Sequence, residues 1–173
     1  DGEPFRVRHG ISRDEFAVGL IGLLIPWKGQ DLFLDAVVRL RKDLPNLRAL
    51  IVGGTPAECS PYEAALRDRV AREGLSEIVR FTGHVSNMEE AYNGLDVVLS
   101  ASTAPEPLGT VVIEAMALGR PLVAPAHGGG AEMGDDGITA LLFEPGNADS
   151  LATALRRLHD DELLRTRLGE AAR

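Results

Sequence analysis

Short unbroken apolar runs alternate along this chain with stretches in which apolar residues recur every three or four positions. Ala17–Ile25 contains only small or apolar residues. A strand covered by helices on both faces reads this way. Pro26–Gly29 forms the turn after it. Gln30–Arg41 then puts Leu32, Phe33, Ala36, Val37 and Leu40 on one broad face, which predicts a helix. Pro45 and Asn46 break the pattern, and Leu47–Val52 is a second strand ending at Gly53 and Gly54. Glu63–Glu73 is helical, with Gly74 as its stop. Ile78–Phe81 is a third strand. Ser86 with Glu89 three residues on has the form of a capping box, so a helix is expected to start at Ser86 and to end at Gly94. Asp96–Leu99 is the fourth strand, 100–108 a loop, and 109–118 a helix closed by Gly119. Pro121–Ala124 and Ile138–Phe143 are the fifth and sixth strands, with a turn or helix start at Gly128–Gly130 between them. Asp149–Leu158 and Asp161–Ala172 are terminal amphipathic helices.

This alternation predicts an α/β fold with a doubly wound, mostly parallel six-stranded sheet, as one domain over residues 1–173. Open sheets of this kind bind ligands beyond the carboxyl ends of their strands. The unusual glycine, proline and polar stretches fall at those ends. Composition narrows the function classes. With 18 basic and 26 acidic residues the net charge is -8, and no basic face is evident to neutralise a nucleic-acid backbone. The lone Cys59 excludes an intrachain disulfide and a cysteine metal cluster. No apolar run reaches the length of a membrane span. A cytoplasmic protein is expected, membrane-peripheral at most in its full-length form.

Three segments carry candidate chemistry. Lys28 follows a strand and opens a helix, where a phosphate would sit; it reads either as a phosphate ligand or as a solvated helix-start residue. The absence of GxGxxG and P-loop patterns removes support for those phosphate sites. The second segment is Glu106-Pro107-Leu108-Gly109-Thr110-Val111, with Glu114 one turn further. Gly109 permits close backbone approach, and the amides of 109–111 can receive an oxyanion. Carboxylates do not attract phosphate, so Glu106 and Glu114 suit the hydroxyls of an attached sugar or ribose. By spacing alone Glu114 is also an ordinary solvent-facing helix residue. The third segment is His127–Glu132, whose three glycines allow an anion nest or a plain surface turn. No histidine pair has metal-site spacing, and no metal is expected.

On these residues the chain resembles the C-terminal, donor-binding domain of the retaining GT-B glycosyltransferases of family 4. The strongest part of the resemblance is Glu106-Pro107-Leu108-Gly109 through Glu114-Ala115-Met116-Ala117-Leu118-Gly119. Gly22–Gly29, Gly128–Glu132 and Asp136-Gly137 with Leu141-Leu142 complete it. It implies that Gly22 and Lys28 line the donor diphosphate and that Glu106 contacts hydroxyls of the transferred sugar. Gly109, Thr110 and Val111 would offer amides to sugar or phosphate, Glu114 would hold the ribose, and Val85 with Ser86–Glu89 would receive the base. Lys28 and Glu106 are the catalytic candidates. The resemblance also implies a nucleotide-diphosphate sugar as donor, with no cofactor and no essential metal. The other partner is an N-terminal Rossmann-like acceptor-binding domain, absent from this chain, without which the domain is expected to be inactive.

Two positions depart from the family pattern. Leu23 stands where an arginine usually helps Lys28 neutralise the diphosphate, and Ala140 stands where glycine is usual. The alternative function is therefore a degenerate, non-catalytic nucleotide-sugar-binding or interaction module. The base, the sugar and the acceptor are not legible in the sequence.

Overall fold

The computed structural model describes every residue of the chain except Pro107. A short helix α1 (Glu3–Arg8) precedes a regular alternation: β1 (Phe16–Ile21), α2 (Gln30–Leu40), β2 (Leu47–Val52), α3 (Ser60–Arg72), β3 (Val79–Gly83), α4 (Met88–Gly94) and β4 (Val97–Leu99). Then follow α5 (Thr110–Ala117), β5 (Leu122–Pro125), α6 (Gly128–Met133), β6 (Leu141–Phe143), α7 (Ala148–Asp160) and α8 (Glu162–Ala172). Strand order is β3-β2-β1-β4-β5-β6, and every pairing is parallel. The sheet is thus the Rossmann-like arrangement expected from the sequence, consistent with one half of a GT-B fold.

Side-chain alternation along the strands builds two separate cores. Phe16, Val18 and Leu20 of β1, Leu47, Ala49 and Ile51 of β2, and Val97 and Leu99 of β4 face one layer. That layer is supplied by α2, α3, α7 and α8 through residues such as Phe33, Val37, Leu66, Leu155 and Leu168. Ala17 and Ile21, Leu50 and Val52, and Val98 face the other layer, filled by Phe5, Tyr92, Val112 and Ala115 from α1, α4 and α5. Burial on both faces explains why these strands read as unbroken apolar runs.

The chain order reverses between β2-β1 and β4-β5. Outside the carboxyl ends of β1 and β4 the loops diverge to opposite sides and leave the crevice in which such sheets bind ligands. Gly29 fixes how the two loops meet there. It has a left-handed φ of 80°, and a Cβ on it would lie 1.9 Å from the carbonyl oxygen of Ala101. Only glycine lets the loop after β1 rest on the loop after β4.

Several sequence boundaries move, each for a local reason. β1 ends at Ile21 rather than Ile25. The apolar run continues past the sheet edge, where Leu24 is buried and Leu23 is 51% exposed. β6 begins at Leu141, because 135–140 is a turn closed by bonds from Gly137 N to Ala140 O and from Asp135 N to Thr139 Oγ1. The helix expected at Ser86 begins at Met88. Asn87 is its cap, with Oδ1 accepting from Glu90 N, so the capping pattern is shifted by one residue. The segment Gly128–Gly130 takes the helix-start option. Helix α1 has no counterpart in the apolar pattern. It is held by tertiary bonds from the Arg6 guanidinium to Gly94 O, Ser12 O, Glu15 O and Asp96 Oδ2. Among the described residues no helix is long and apolar enough to cross a membrane.

Both tyrosines of the chain are held neutral by the fold. Tyr92 is 1% exposed, and its hydroxyl donates to Glu114 Oε2 at 2.6 Å. Burial first, then this carboxylate, pushes its phenol well above the ordinary range. Burial and then Asp31, which accepts from the Tyr62 hydroxyl at 3.1 Å, do the same to Tyr62. A raised phenol keeps its proton in the fold while the unfolded chain loses it near about pH 10. The unfolded state then binds fewer protons than the native one, so this stability is complete below about pH 10 and is lost as pH rises above it. Urea unfolding at a series of alkaline pH values should show a shallower fall in Tyr92→Phe than in the wild type. The difference should approach ~1.4 kcal/mol per pH unit. Parallel curves for the two proteins would contradict the assignment.

Candidate functional site

Three loops at the carboxyl edge converge on Glu106. The loop after β1 brings Lys28, at the end of a single 3-10 turn over Pro26–Lys28. The loop after β4 brings Ser102 and Glu106, and the loop after β5 brings His127 and the start of α6. Lys28 Nζ lies 2.9 Å from Glu106 Oε1, and each of the two side chains is 15% exposed. The Ser102 hydroxyl, itself buried, donates to the same oxygen. Oε2 of Glu106 accepts no hydrogen bond from a described residue. The ammonium of Lys28 also sits 4.5 Å from the centre of the Trp27 ring, a cation–π distance. The Trp27 carbonyl accepts from Thr103 N at 2.8 Å, which locks the first loop to the second. The third loop is fastened by Gly129 N, which donates to Glu106 O at 3.3 Å.

Helix α5 starts beside this cluster. Gly109 is its cap in the left-handed conformation, φ 52°. A Cβ on Gly129 would meet the Gly109 Cα at 2.8 Å, so the starts of α5 and α6 are in backbone contact. The amides of Gly109, Thr110 and Val111 donate to no described residue. They stand at a helix start, where the first amides carry the helix's partial positive charge. Glu114, one turn on, is exposed, with Oε2 taken by Tyr92 and Oε1 without a described partner. Tyr92 thereby fixes the direction of the Glu114 carboxylate.

The structure brings Gly22, Lys28, Glu106, Gly109, Thr110, Val111 and Glu114 to one edge of the sheet. A Cβ on Gly22 would touch the Lys28 stem at 3.4 Å, so the glycine leaves room for that side chain. Val85 is at the same edge, between β3 and α4, half-buried against the second core. Pro107 of the motif lies outside the described residues. Glu132 points to solvent on α6 and joins no cluster. Leu23 is exposed at the edge while its carbonyl accepts from the buried Gln30 amide at 3.0 Å. Sequence reasoning missed Trp27, Ser102 and Tyr92 as site residues. Ser102 and Tyr92 act by orienting Glu106 and Glu114 across 4 and 22 residues of sequence, which only the fold closes up. Among the described residues no cluster of three or more His, Cys, Asp or Glu is arranged to hold a metal ion. The largest cavity described, about 410 Å³, is elsewhere. It lies at the amino ends of β4 and β5 beside α8 and mixes Arg120, Arg165 and Arg173 with Asp96, Glu162 and Glu170.

Comparison with known proteins agrees with this geometry. The family model described as glycosyl transferases group 1 matches residues 1–173. A D-inositol 3-phosphate glycosyltransferase of Stackebrandtia nassauensis is 33% identical, over 96% of this chain and 39% of its own length. A lipopolysaccharide core biosynthesis mannosyltransferase, LpsB of Rhizobium meliloti, is 31% identical over 94% of this chain and 46% of its own. The chain thus spans less than half the length of these curated relatives. Among solved structures, Anabaena Alr3699/HepE in complex with UDP-glucose superposes with a TM-score of 0.92 at 31% identity, over 98% of this chain and 46% of that one. The C-terminal domain of LpcC from Francisella tularensis shares the fold, with a TM-score of 0.88 at 24% identity over 99% of this chain and 89% of that one. A sheet with its crevice at the β1/β4 reversal, glutamates eight positions apart around a glycine-capped helix, and a profile match across the whole chain lead to one statement: this chain belongs to the group 1 glycosyl transferase family.

Proposed function

We propose that this chain is the C-terminal, donor-binding half of a retaining glycosyltransferase of the two-domain GT-B type. In this reading a sugar passes from a nucleotide diphosphate to an acceptor hydroxyl carried by a second, N-terminal domain. The observation that carries it is the Lys28–Glu106 pair in the crevice, with one carboxylate oxygen held by Lys28 and Ser102 and the other open. The anchored oxygen orients the carboxylate; the open one is available to sugar hydroxyls. The amides of Gly109, Thr110 and Val111 face the diphosphate or the sugar, and Lys28 supplies the cation. Glu114, braced by Tyr92, takes the ribose hydroxyls through its remaining oxygen. The base lies against Val85 and the backbone of 86–89.

The electrostatics bear on the leaving group. With Glu106 2.9 Å away, the charge of Lys28 is largely offset before the donor arrives. Stabilisation of the departing diphosphate then falls mainly on the helix-start amides, which are pre-oriented and need no reorganisation as charge develops. The leaving phosphate itself takes the proton from the acceptor on the front face, as the family resemblance implies. Closure of the second domain supplies the acceptor and excludes water. The relatives named above support sugar transfer; one is a structure with UDP-glucose, and a further relative, 32% identical to this chain, is a GDP-mannose-dependent alpha-(1-6)-phosphatidylinositol monomannoside mannosyltransferase of Mycolicibacterium smegmatis. Both donors are therefore the first to test.

Calorimetry separates the two glutamates. Glu114→Ala should weaken the free nucleotide and the nucleotide sugar alike, by ~1.5–3 kcal/mol for a lost charge-assisted bond. Glu106→Ala should not weaken the free nucleotide, because it releases Lys28 to the diphosphate, and should weaken the nucleotide sugar relative to the nucleotide. Equal effects of the two substitutions on the free nucleotide would reverse the assigned roles.

Leu23→Arg tests the missing cation. Leu23 is half exposed, so an arginine there does not enter the core, and unfolding free energy should change little. Donor affinity should rise by ~1–2 kcal/mol at low salt, with the gain shrinking as salt increases. Unchanged affinity at low salt would mean that the diphosphate does not pass beside this residue.

A further inference from the structure

His127 is a crevice side chain that makes no hydrogen bond to a described residue and has no part in the donor scheme above. It follows β5 and occupies the cap position of α6, yet its side chain makes no capping bond. Its backbone is extended, and its amide donates to Pro125 O at 2.8 Å. Both ring nitrogens are shielded from solvent, and neither has a hydrogen-bond partner among the described residues. A neutral imidazole offers one donor and one acceptor. Leaving both unpaired away from water costs the desolvation of each, so such groups are rare in native proteins unless a ligand or water completes them.

The surroundings say what would complete them. His127 lines a small cavity of about 10 Å³ together with Ser100, Ser102, Glu106, Gly109 and Gly129. That is room for about one water-sized oxygen, not for a ring or a phosphate. The cavity wall carries polar groups beside Val112 and Pro125: Ser100 and Ser102 are both buried, and Ser102 already donates to Glu106. A hydroxyl fits such a place because it can donate to one wall and accept from another.

We propose that the His127 imidazole is a specificity-determining contact for the transferred sugar, taking one hydroxyl of that sugar into the pocket it shares with Glu106. This rests on the reading of Glu106 as a sugar contact and adds a second, independent one. Two side chains on different loops then read two hydroxyls, so the pair discriminates among sugars that differ at either position. A site built to hydrogen-bond a hydroxyl rejects the analogue lacking it, because its own buried groups are left unpaired. His127 is a recognition residue here and takes no part in proton transfer.

The test uses the chain as it stands, with UDP-glucose and GDP-mannose as probes and UDP and GDP as sugarless controls. His127→Phe keeps the ring shape and removes both nitrogens. It should weaken the preferred nucleotide sugar about three- to tenfold and leave the matching free nucleotide within about twofold. His127→Gln, which restores a donor and an acceptor, should recover part of the loss. Single-deoxy donors should locate the hydroxyl: the wild type loses affinity for one of them, and His127→Phe no longer distinguishes it from the parent sugar. A readout without any variant is the imidazole itself, whose ring nitrogen resonances should move with the nucleotide sugar and not with the nucleotide. Equal losses for sugar and nucleotide would make His127 structural and overturn the proposal. No loss for any probe would mean that the pocket holds an internal water only, and would overturn it too. If the wild type binds neither nucleotides nor their sugars, the donor reading falls and takes this inference with it. If it binds them and only the His127 variants are silent, the donor reading stands and this inference alone is wrong.

Discussion

A lysine and a glutamate, each largely withdrawn from water, face each other across the sheet crevice. Lys28 belongs to the loop after β1 and Glu106 to the loop after β4, the two strands between which the chain order reverses. Removing one partner of a shielded pair leaves the other charge uncompensated, which costs ~3–5 kcal/mol for a fully buried pair and less at this exposure. A pair of apolar residues of similar volume would serve stability as well. Retaining charge here makes sense as an arrangement that holds a carboxylate in one direction. Ser102 and Trp27 add to the same restraint, one by bonding the anchored oxygen, the other by offering its ring face to the ammonium. The remaining features of the edge follow from that restraint. Glycines stand where loop backbones touch, and the first amides of α5, which donate to no described residue, stand at the start of the helix at the same edge.

The two-sided cores explain how this edge is kept rigid. Each strand sends alternate side chains into two different layers. The loops at its carboxyl end are therefore fixed from both faces of the sheet. A ligand site built on such ends can be polar and strained without carrying the stability of the domain. Cavity size is a poor guide in this situation. The larger opening sits at the amino edge among charges of both signs, whereas His127, with both ring nitrogens unpaired among the described residues, lies at the carboxyl edge beside a space for a single oxygen.

Much of this was legible in the sequence because it is periodic. The strand expected at 47–52 is found residue for residue, the one expected at 96–99 to within one residue, and the helical spacing of 30–41 likewise holds to within one residue. Glu106, Gly109 and Glu114 stand out because a glycine and two carboxylates interrupt an apolar stretch. What was not legible depends on contacts between distant segments. Helix α1 is short, has a proline in its first turn and has no period; it exists because Arg6 reaches Gly94 and Asp96. Tyr92 gives no local sign that it will brace Glu114. Leu23–Ile25 read as strand because hydropathy alone does not show where a sheet ends. Asn87 rather than Ser86 caps α4 because both begin the same four-residue pattern, and only geometry chooses between them.

The central claim is that the carboxyl edge, and no other surface, binds a nucleotide-linked sugar. Titrating the nitrogen-15-labelled chain with UDP-glucose and GDP-mannose while following every backbone amide tests it most directly. The account predicts that one of the two donors shifts amides in 22–28, 84–89, 106–114 and 128–132 together, at a single saturating stoichiometry. Shifts confined to α7, α8 and the amino-edge cavity, or none with either donor, would contradict it.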